Sequence, residues 1–243
     1  MPTPFGVKVI AQAREALAQV DAIGRCPPGE TVGAGRVLRL AATNPPILSG
    51  LAHRIRRTLP YLTLTVSSVY SSAEIVELLE AGELDAAIGT DYPGMELQHS
   101  DAVAHRAIVT EPAFVALPAH HRLAYRIEVA LSELAAEAWF VAPDDGAGWP
   151  GVFFAACQAA GFHPATLHRF LGDRRQLQDM AADGLGVAVV QATFRPVKPL
   201  TGRPVWFRYL LAWQPNGVSE EIVEAVHRSA TAAYRDLAAH VQP

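Results

Sequence analysis

The sequence contains few cysteines and has no excess of positive charge. Cys26 and Cys157 are its two cysteines and lie far apart, so a disulfide framework or CxxC motif is not available. A reducing, cytoplasmic setting is therefore favoured over a secreted one. The net charge of −4 also argues against a binding surface for duplex DNA, which is normally strongly basic.

Long apolar runs are missing as well. No stretch of about 18 apolar residues could span a bilayer. The first 21 residues do not combine a basic segment with an unbroken apolar one, as a signal peptide does. Half of the 243 residues are apolar, which allows one large domain or two small ones. We expect a protein that is soluble and stays inside the cell.

The sequence motifs of common enzymes are also missing. There is no GxSxG motif or phosphate loop, and the glycines at 33–35 precede a strand instead of following one. His120-His121 falls in a predicted turn, and Cys157 falls in an apolar helix as a core thiol would. Asp85 is interpreted as a loop-to-strand cap and not as a base. We expect no catalytic site, no metal and no cofactor.

Two successive series of strands and helices follow an N-terminal segment. The segment 5–23 predicts a helix, either packed on its own domain or ending a longer dimerising helix. The first series is predicted as strand 37–42, helix 46–57, an alternating strand from Leu62, a helix opened by Ser71-Ser72 and strand 86–89. Strand 107–117 then leads to strand 138–142, helix 149–160, strand 165–171, helix 173–183, strands 186–190 and 204–213, and a helix capped by Ser219. This order predicts two α/β lobes with mainly parallel sheets.

Short polar residues recur where these predicted strands end. Ligands of open parallel sheets lie beyond the carboxyl ends of the strands, close to helix N-termini. Each position alone is typical of a cap or turn, but their recurrence predicts a binding site suited to an anion, especially a carboxylate. Phe114, Trp149, Phe153 and Phe194 could line the same cleft for a hydrophobic ligand. The polar residues are Thr43, Asn44, Ser71, Ser72, Thr90, Asp145 and Thr193.

Several motifs between Gly35 and about Pro196 occur in the order of a known family. Residues 78–88, LLEAGELDAAI, match the pattern "L..G.LDlaI". Residues 111–124 match "E.lvlvlp..HPLA" with Arg122 in place of the usual proline, and residues 183–190 match "v..GlGvallp". The chain thus resembles the effector-binding region of LysR-type transcriptional regulators. Thr3-Pro4-Phe5-Gly6 resembles the end of the winged helix-turn-helix that precedes the linker helix.

The resemblance implies a type 2 periplasmic-binding-protein fold, in which two Rossmann-like lobes are joined by crossing strands. It implies a linker-helix end and connector at 1–34, a first lobe at 35–115 plus 214–243, and a second at 116–213. It further implies a small-molecule effector bound in the cleft at the seven polar positions above. Homodimers would form through the first lobe and tetramers at full length, with DNA bound only by a winged helix-turn-helix absent from this chain.

Two other classes of protein remain open at this point. A solute-binding protein of a transporter shares the fold, but it would need a signal peptide or a lipid-anchor cysteine. An enzyme of the doubly wound class would need a nucleophile, a metal site or a cofactor motif.

Overall fold

A computed structural model describes residues 36–43, 45–194 and 196–239. The helix predicted at 5–23 and the predicted site residue Asn44 lie outside these residues. The described elements, in chain order, are β1 (Arg36–Ala42), α1 (Leu48–Thr58), β2 (Leu62–Ser68), α2 (Ser72–Glu80), β3 (Ala86–Asp91), β4 (Ala104–Pro112), β5 (Phe114–Ala116), a 3-10 helix (Leu131–Leu134), β6 (Ala138–Val141), α3 (Gly151–Ala159), β7 (Thr166–Arg169), α4 (Arg174–Ala182), β8 (Val187–Val190), β9 (Val197–Pro199), β10 (Trp206–Trp213) and α5 (Glu220–Ala239).

The strands form two five-stranded sheets, each the centre of one lobe. The first sheet has the order β2-β1-β3-β10-β4, and the second has the order β7-β6-β8-β5-β9. In the first, β1 is parallel to β2 and β3, whereas β10 is antiparallel to β3 and β4. In the second, β6 is parallel to β7 and β8, whereas β5 is antiparallel to β8 and β9. The predicted two-lobed α/β fold is confirmed, with mixed sheets.

The chain crosses between the sheets twice. It leaves the first sheet at Pro112, the end of β4, and enters the second at Phe114, the start of β5. The return crossing runs from β9 to β10. The two crossings contact each other, because the backbone N–H of Ala113 donates a 2.9 Å hydrogen bond to the carbonyl of Val205. The hinge between the lobes is therefore a pair of hydrogen-bonded segments.

Two sequence-based boundaries differ from the structure. The single strand predicted at 107–117 is divided at Ala113 into β4 and β5, which belong to different sheets. Strand β10 lies in the first sheet, although the boundary after residue 213 assigned it to the second lobe. Both differences have one cause: a continuous apolar run indicates buried strand but does not reveal the sheet in which it pairs.

Apolar helix faces cover both sheets. Leu51 and Ile55 of α1 pack with Val226 of α5 and the apolar side chains of β1 and β3. These three side chains are essentially inaccessible to water, and each such burial contributes about 1.5–3 kcal/mol. A larger cluster contains residues of both lobes, among them Ile75 of α2 and Phe153 of α3. This cluster of buried apolar residues from both lobes forms a shared apolar base beneath the cleft.

Candidate functional site

A cavity of about 250 Å³ lies between the lobes. Its walls include residues at the carboxyl ends of four parallel strands, namely Thr43 after β1, Thr90 in β3, Ala142 after β6 and Gln191 after β8. This is the position at which open α/β sheets bind ligands. Its volume is near the lower end of the roughly 300–1,000 Å³ usual for small-molecule pockets, so it suits a compact metabolite.

Three of the predicted site residues lie together on the first-lobe wall. Thr43, Ser72 and Thr90 all line the cavity. The Ser72 hydroxyl is committed to the protein, because it donates to the Thr90 carbonyl (2.6 Å) and accepts from the Thr90 N–H (3.1 Å). The hydroxyl oxygens of Thr43 and Thr90 are 3.5 Å apart. Of these three side chains, the two threonines are therefore the ones whose hydroxyls are left to bind a ligand; the hydroxyls of Tyr70 and Tyr92, which also line the cavity, donate to Pro143 and Asp145.

Asp145 lines the cavity on the second-lobe side, in the loop between β6 and α3. Its Oδ1 accepts hydrogen bonds from the N–H groups of Ala147 (2.9 Å) and Trp149 (3.0 Å). Its Oδ2 accepts from the Tyr92 hydroxyl (2.7 Å). These bonds occupy both oxygens, so Asp145 holds the loop in shape and joins it to the first lobe.

Two further predicted residues lie outside the cavity wall. Ser71 is the N-cap of α2, and its side chain accepts a 3.0 Å hydrogen bond from the Glu74 N–H. Thr193 has a buried hydroxyl without a hydrogen-bond partner among the described residues. Its carbonyl accepts a hydrogen bond from the Arg174 guanidinium. Thr193 therefore does not line the cavity itself, but its carbonyl helps to hold the Arg174 side chain, which does.

Aromatic rings form much of the remaining wall. Trp149 and Phe194, both expected there, line the cavity, whereas Phe153 is fully buried behind Trp149 with ring centroids 5.7 Å apart. Phe114, expected in the same group, packs partly buried against the core of the second lobe. The rings that the sequence reasoning missed are Tyr70, Tyr92, Phe140, Phe170 and Phe207.

Arg174 is the most informative residue that sequence reasoning missed. Two adjacent arginines in the first turn of a helix usually lie on a solvated face, which holds for Arg175 but not for half-buried Arg174. Arg174 lines the cavity, and its guanidinium carbon lies 5.6 Å from the centre of the Phe194 ring. Burial lowers its pKa, although Tyr209 and the Glu111 carboxylate oppose that shift. Within the described part of the chain no carboxylate lies at ion-pair distance from it, and the nearest charge that acts on it is that of Glu111.

The residues that could have formed a metal or catalytic site have structural contacts instead. Across the described residues there is no group of three or more His, Cys, Asp or Glu that could hold a metal ion. His121 faces Glu137 at 3.1 Å. Asp85 accepts a hydrogen bond from the Arg39 backbone N–H at 2.7 Å, as expected of a cap.

None of the described helices has the length and apolar character that crossing a membrane requires.

Comparison with known proteins identifies the family. The LysR substrate binding domain matches residues 32–235. A small neutral protease regulatory protein of Streptomyces coelicolor is 31% identical over 98% of this chain and 73% of its own length. The BenM effector-binding domain with its effector benzoate superposes with a TM-score of 0.69 at 18% identity, covering 88% of this chain and 97% of that one.

A second solved structure shows the same fold. A full-length OxyR variant from Pseudomonas aeruginosa has a TM-score of 0.67 at 22% identity, covering 94% of this chain and 78% of that one. The family match spans both sheets and the cavity between them. The chain therefore belongs to the LysR substrate-binding domain family and is the effector-sensing part of a LysR-type transcriptional regulator.

Proposed function

We propose that the inter-lobe cavity binds a small-molecule effector that carries a carboxylate. The observation that supports this most directly is Arg174, a half-buried guanidinium in the cavity wall that no carboxylate of the described residues contacts at ion-pair distance, although Glu111 attracts it from farther away. A guanidinium stays protonated even when burial lowers its pKa. An anionic ligand would supply the directly hydrogen-bonded charge partner that the described residues do not, through charge-assisted hydrogen bonds.

The apolar part of the same effector is an aromatic or compact aliphatic group. Phe194 lies beside Arg174 and packs in one cluster with Phe140 and Phe170, and all three rings line the cavity together with Trp149 and Phe207. Burial of a ring against such walls contributes the hydrophobic share of the affinity. Benzoate, the effector of the BenM domain, has this chemistry and is a reasonable first probe.

Calorimetry with benzoate and a panel of organic acids tests the proposal. Arg174→Gln should weaken binding of a carboxylate ligand roughly 10- to 100-fold, the equivalent of one lost charged hydrogen-bonding group. Arg175→Gln is the matched control, since Arg175 is the exposed neighbour on the same helix turn. Equal losses in the two variants, or binding that Arg174→Gln does not weaken, would contradict the proposal.

Regulation would follow from different affinities of the effector for two arrangements of the lobes. We propose that the protein acts in the cytoplasm as a homodimer through the first lobe and as a tetramer at full length. DNA would be bound by a winged helix-turn-helix and not by the cavity-bearing lobes. The regulator names of the relatives support this reading over a transporter's solute-binding protein or an enzyme.

The regulatory step needs the full-length protein. Effector should change both its small-angle scattering profile and its affinity for operator DNA, and Arg174→Gln should abolish both responses. If effector binds without changing the scattering profile or the affinity for DNA, ligand binding in the cavity does not control transcription.

A further inference from the structure

The first lobe carries a second cavity, the α1–α5 groove, between its two helices α1 and α5. Its volume is about 390 Å³, within the roughly 300–1,000 Å³ usual for small-molecule pockets. It shares no lining residue with the inter-lobe cavity. Its polar lining residues are Arg54, Arg57 and Thr58 of α1 and Arg228 and Ser229 of α5.

Contacts on either side of the helix pair hold the groove in shape. A Cβ on Gly50 of α1 would lie 3.2 Å from the Cβ of Ala233 of α5, so the glycine allows the two helices to approach closely there. Arg54 forms an ion pair with Asp236 of α5. The buried faces of the helices pack in one apolar core. The groove is therefore bounded by two helices that are fixed relative to each other.

The charge of the groove is positive. Among the described residues that line it, three are arginines and none is acidic, although the chain as a whole has a net charge of −4. Arg57 and Arg228 form no ion pair with a described carboxylate. Glu224, one turn before Arg228, attracts it but is itself hydrogen-bonded to Arg106 at 2.5 Å. Positive charge concentrated in a concave surface favours the binding of an anion.

Ser229 contributes a hydroxyl to the same groove. The residue is 6% exposed and lies between Ala225 and Ala232 on the face of α5 that lines the groove. Its hydroxyl forms no hydrogen bond with another described residue, yet its oxygen is not sealed in the core as that of Thr193 is. Thr231 differs, because its hydroxyl donates to the His227 carbonyl at 3.0 Å. The Ser229 hydroxyl is thus free to donate into the groove, where the two alanines leave room for a ligand.

We propose that the α1–α5 groove binds a phosphate group, either as free phosphate or as part of a small phosphorylated metabolite. Guanidinium groups present paired N–H donors that match phosphate oxygens. Arg57 and Arg228 would hold the phosphate from the two helices, and Ser229 would donate to one of its oxygens. The site is separate from the inter-lobe cavity and does not depend on the effector proposed for it.

Calorimetry and thermal unfolding of the whole chain with inorganic phosphate test the proposal. Phosphate should bind, and by mass action it should raise the melting temperature more than sodium chloride does at equal ionic strength. Arg57→Gln and Arg228→Gln should each weaken binding about tenfold. Arg56→Gln is the matched control, because Arg56 is an exposed residue of α1 that does not line the groove. Stabilisation that chloride reproduces, or equal losses in Arg56→Gln and Arg57→Gln, would overturn the proposal.

Two further variants distinguish this site from a general effect of charge and from the inter-lobe cavity. Ser229→Ala keeps every charge and should still weaken phosphate binding about fivefold. Thr231→Ala, which removes a hydroxyl already bonded within the helix, should leave it unchanged, as should Arg174→Gln. If Arg174→Gln abolishes phosphate binding and Arg57→Gln does not, phosphate occupies the inter-lobe cavity and the proposal fails.

Glycerol 3-phosphate and ribose 5-phosphate identify the source of the phosphate group. Tighter binding of either ester than of inorganic phosphate, lost in Arg57→Gln, would support the site and assign it to a phosphorylated metabolite. Tighter binding of inorganic phosphate, with the same dependence on Arg57, would support the site and assign it to the free ion. If none of the three compounds binds, the groove is not a phosphate site.

Discussion

Tyr92 and Asp145, which both line the cavity, join the two lobes. Tyr92 directly follows β3 of the first sheet, and its hydroxyl donates a 2.7 Å hydrogen bond to Oδ2 of Asp145, in the loop after β6 of the second. Two neighbouring contacts do the same. The Tyr70 hydroxyl donates to the Pro143 carbonyl (2.7 Å), and the Ala73 N–H donates to the Asp145 carbonyl (3.4 Å). The β6–α3 loop thus fastens the second lobe to the first.

Removing the Tyr92 hydroxyl should loosen this connection. Tyr92→Phe leaves the partly buried Asp145 carboxylate with one donor fewer, so we expect the free energy of unfolding to fall by about 1–2 kcal/mol. The lobes should also separate, which small-angle scattering detects as a larger radius of gyration. Tyr125→Phe is the control, because that side chain is 78% exposed and loses only water contacts. Identical urea curves and scattering for Tyr92→Phe and wild type would refute the prediction.

Glu111 is a carboxylate that the first lobe buries at the start of the hinge. It is 3% exposed and accepts hydrogen bonds from the hydroxyls of Tyr209 (2.9 Å) and Tyr234 (2.6 Å). Burial raises the pKa of Glu111 above its usual 4.5, although the hydrogen bonds from Tyr234 and Tyr209 and the positive charge of Arg174 oppose the shift. The cost of removing the charge from water therefore exceeds the combined stabilisation by the two hydroxyl donors and the Arg174 guanidinium.

This shift makes stability depend on pH in a specific direction. The folded protein holds the Glu111 proton more tightly than the unfolded chain does, so unfolding becomes easier as pH rises from about 4.5 through the folded pKa. Glu111→Gln keeps the shape but cannot ionise. The unfolding free energy of wild type relative to this variant should therefore decrease between about pH 4 and pH 7. Urea titrations measure it, with Glu128→Gln on an exposed side chain as the baseline. A constant difference would contradict the prediction.

Cys157 should be chemically inert in the folded protein. The thiol is fully buried in α3, and burial raises its pKa to about 12. Because the thiolate is the reactive form, we expect no labelling by a disulfide reagent at about pH 8 until the protein unfolds. The experiment uses Cys26→Ser, so that one thiol is counted. Rapid labelling of the native protein, or its oxidation by dilute peroxide, would show that the thiol is accessible.

The fold could be predicted well from sequence because its signals are local. Ser71 shows this, since a serine ahead of an apolar run predicted an N-cap and its side chain accepts from the Glu74 N–H. The pairing of strands could not be predicted in the same way. Residues 206–213 indicate a strand, but only the long-range register with β3 and β4 assigns it to the first sheet.

Some residues of the candidate site could likewise be predicted from local sequence signals, and others could not. Thr43, Thr90 and Asp145 could be placed at the cavity because a topological rule locates ligands at strand ends. Arg174 could not, because its sequence context is that of an exposed first helix turn and its burial depends on how α4 packs against Phe194.

Two glycines offer a direct test of the connection between the lobes. Gly146, in the β6–α3 loop, has φ +69°, and a Cβ there would lie 2.4 Å from the Cβ of Ala73 in the first turn of α2. Gly161 has φ +86°, and a Cβ there would meet nothing within 4 Å. Alanine at either position carries the strain of a positive φ, about 1 kcal/mol. Gly146→Ala must in addition displace the loop from α2.

The difference between the two variants therefore isolates the contact between loop and helix. Gly146→Ala should lose more unfolding free energy than Gly161→Ala, and it alone should show a more open scattering profile. It should also bind a carboxylate effector more weakly, since the Arg174 wall moves away from the Thr43–Thr90 wall as the lobes separate. Equal destabilisation with unchanged scattering would mean that the shared apolar base, and not the β6–α3 loop, keeps the cavity closed.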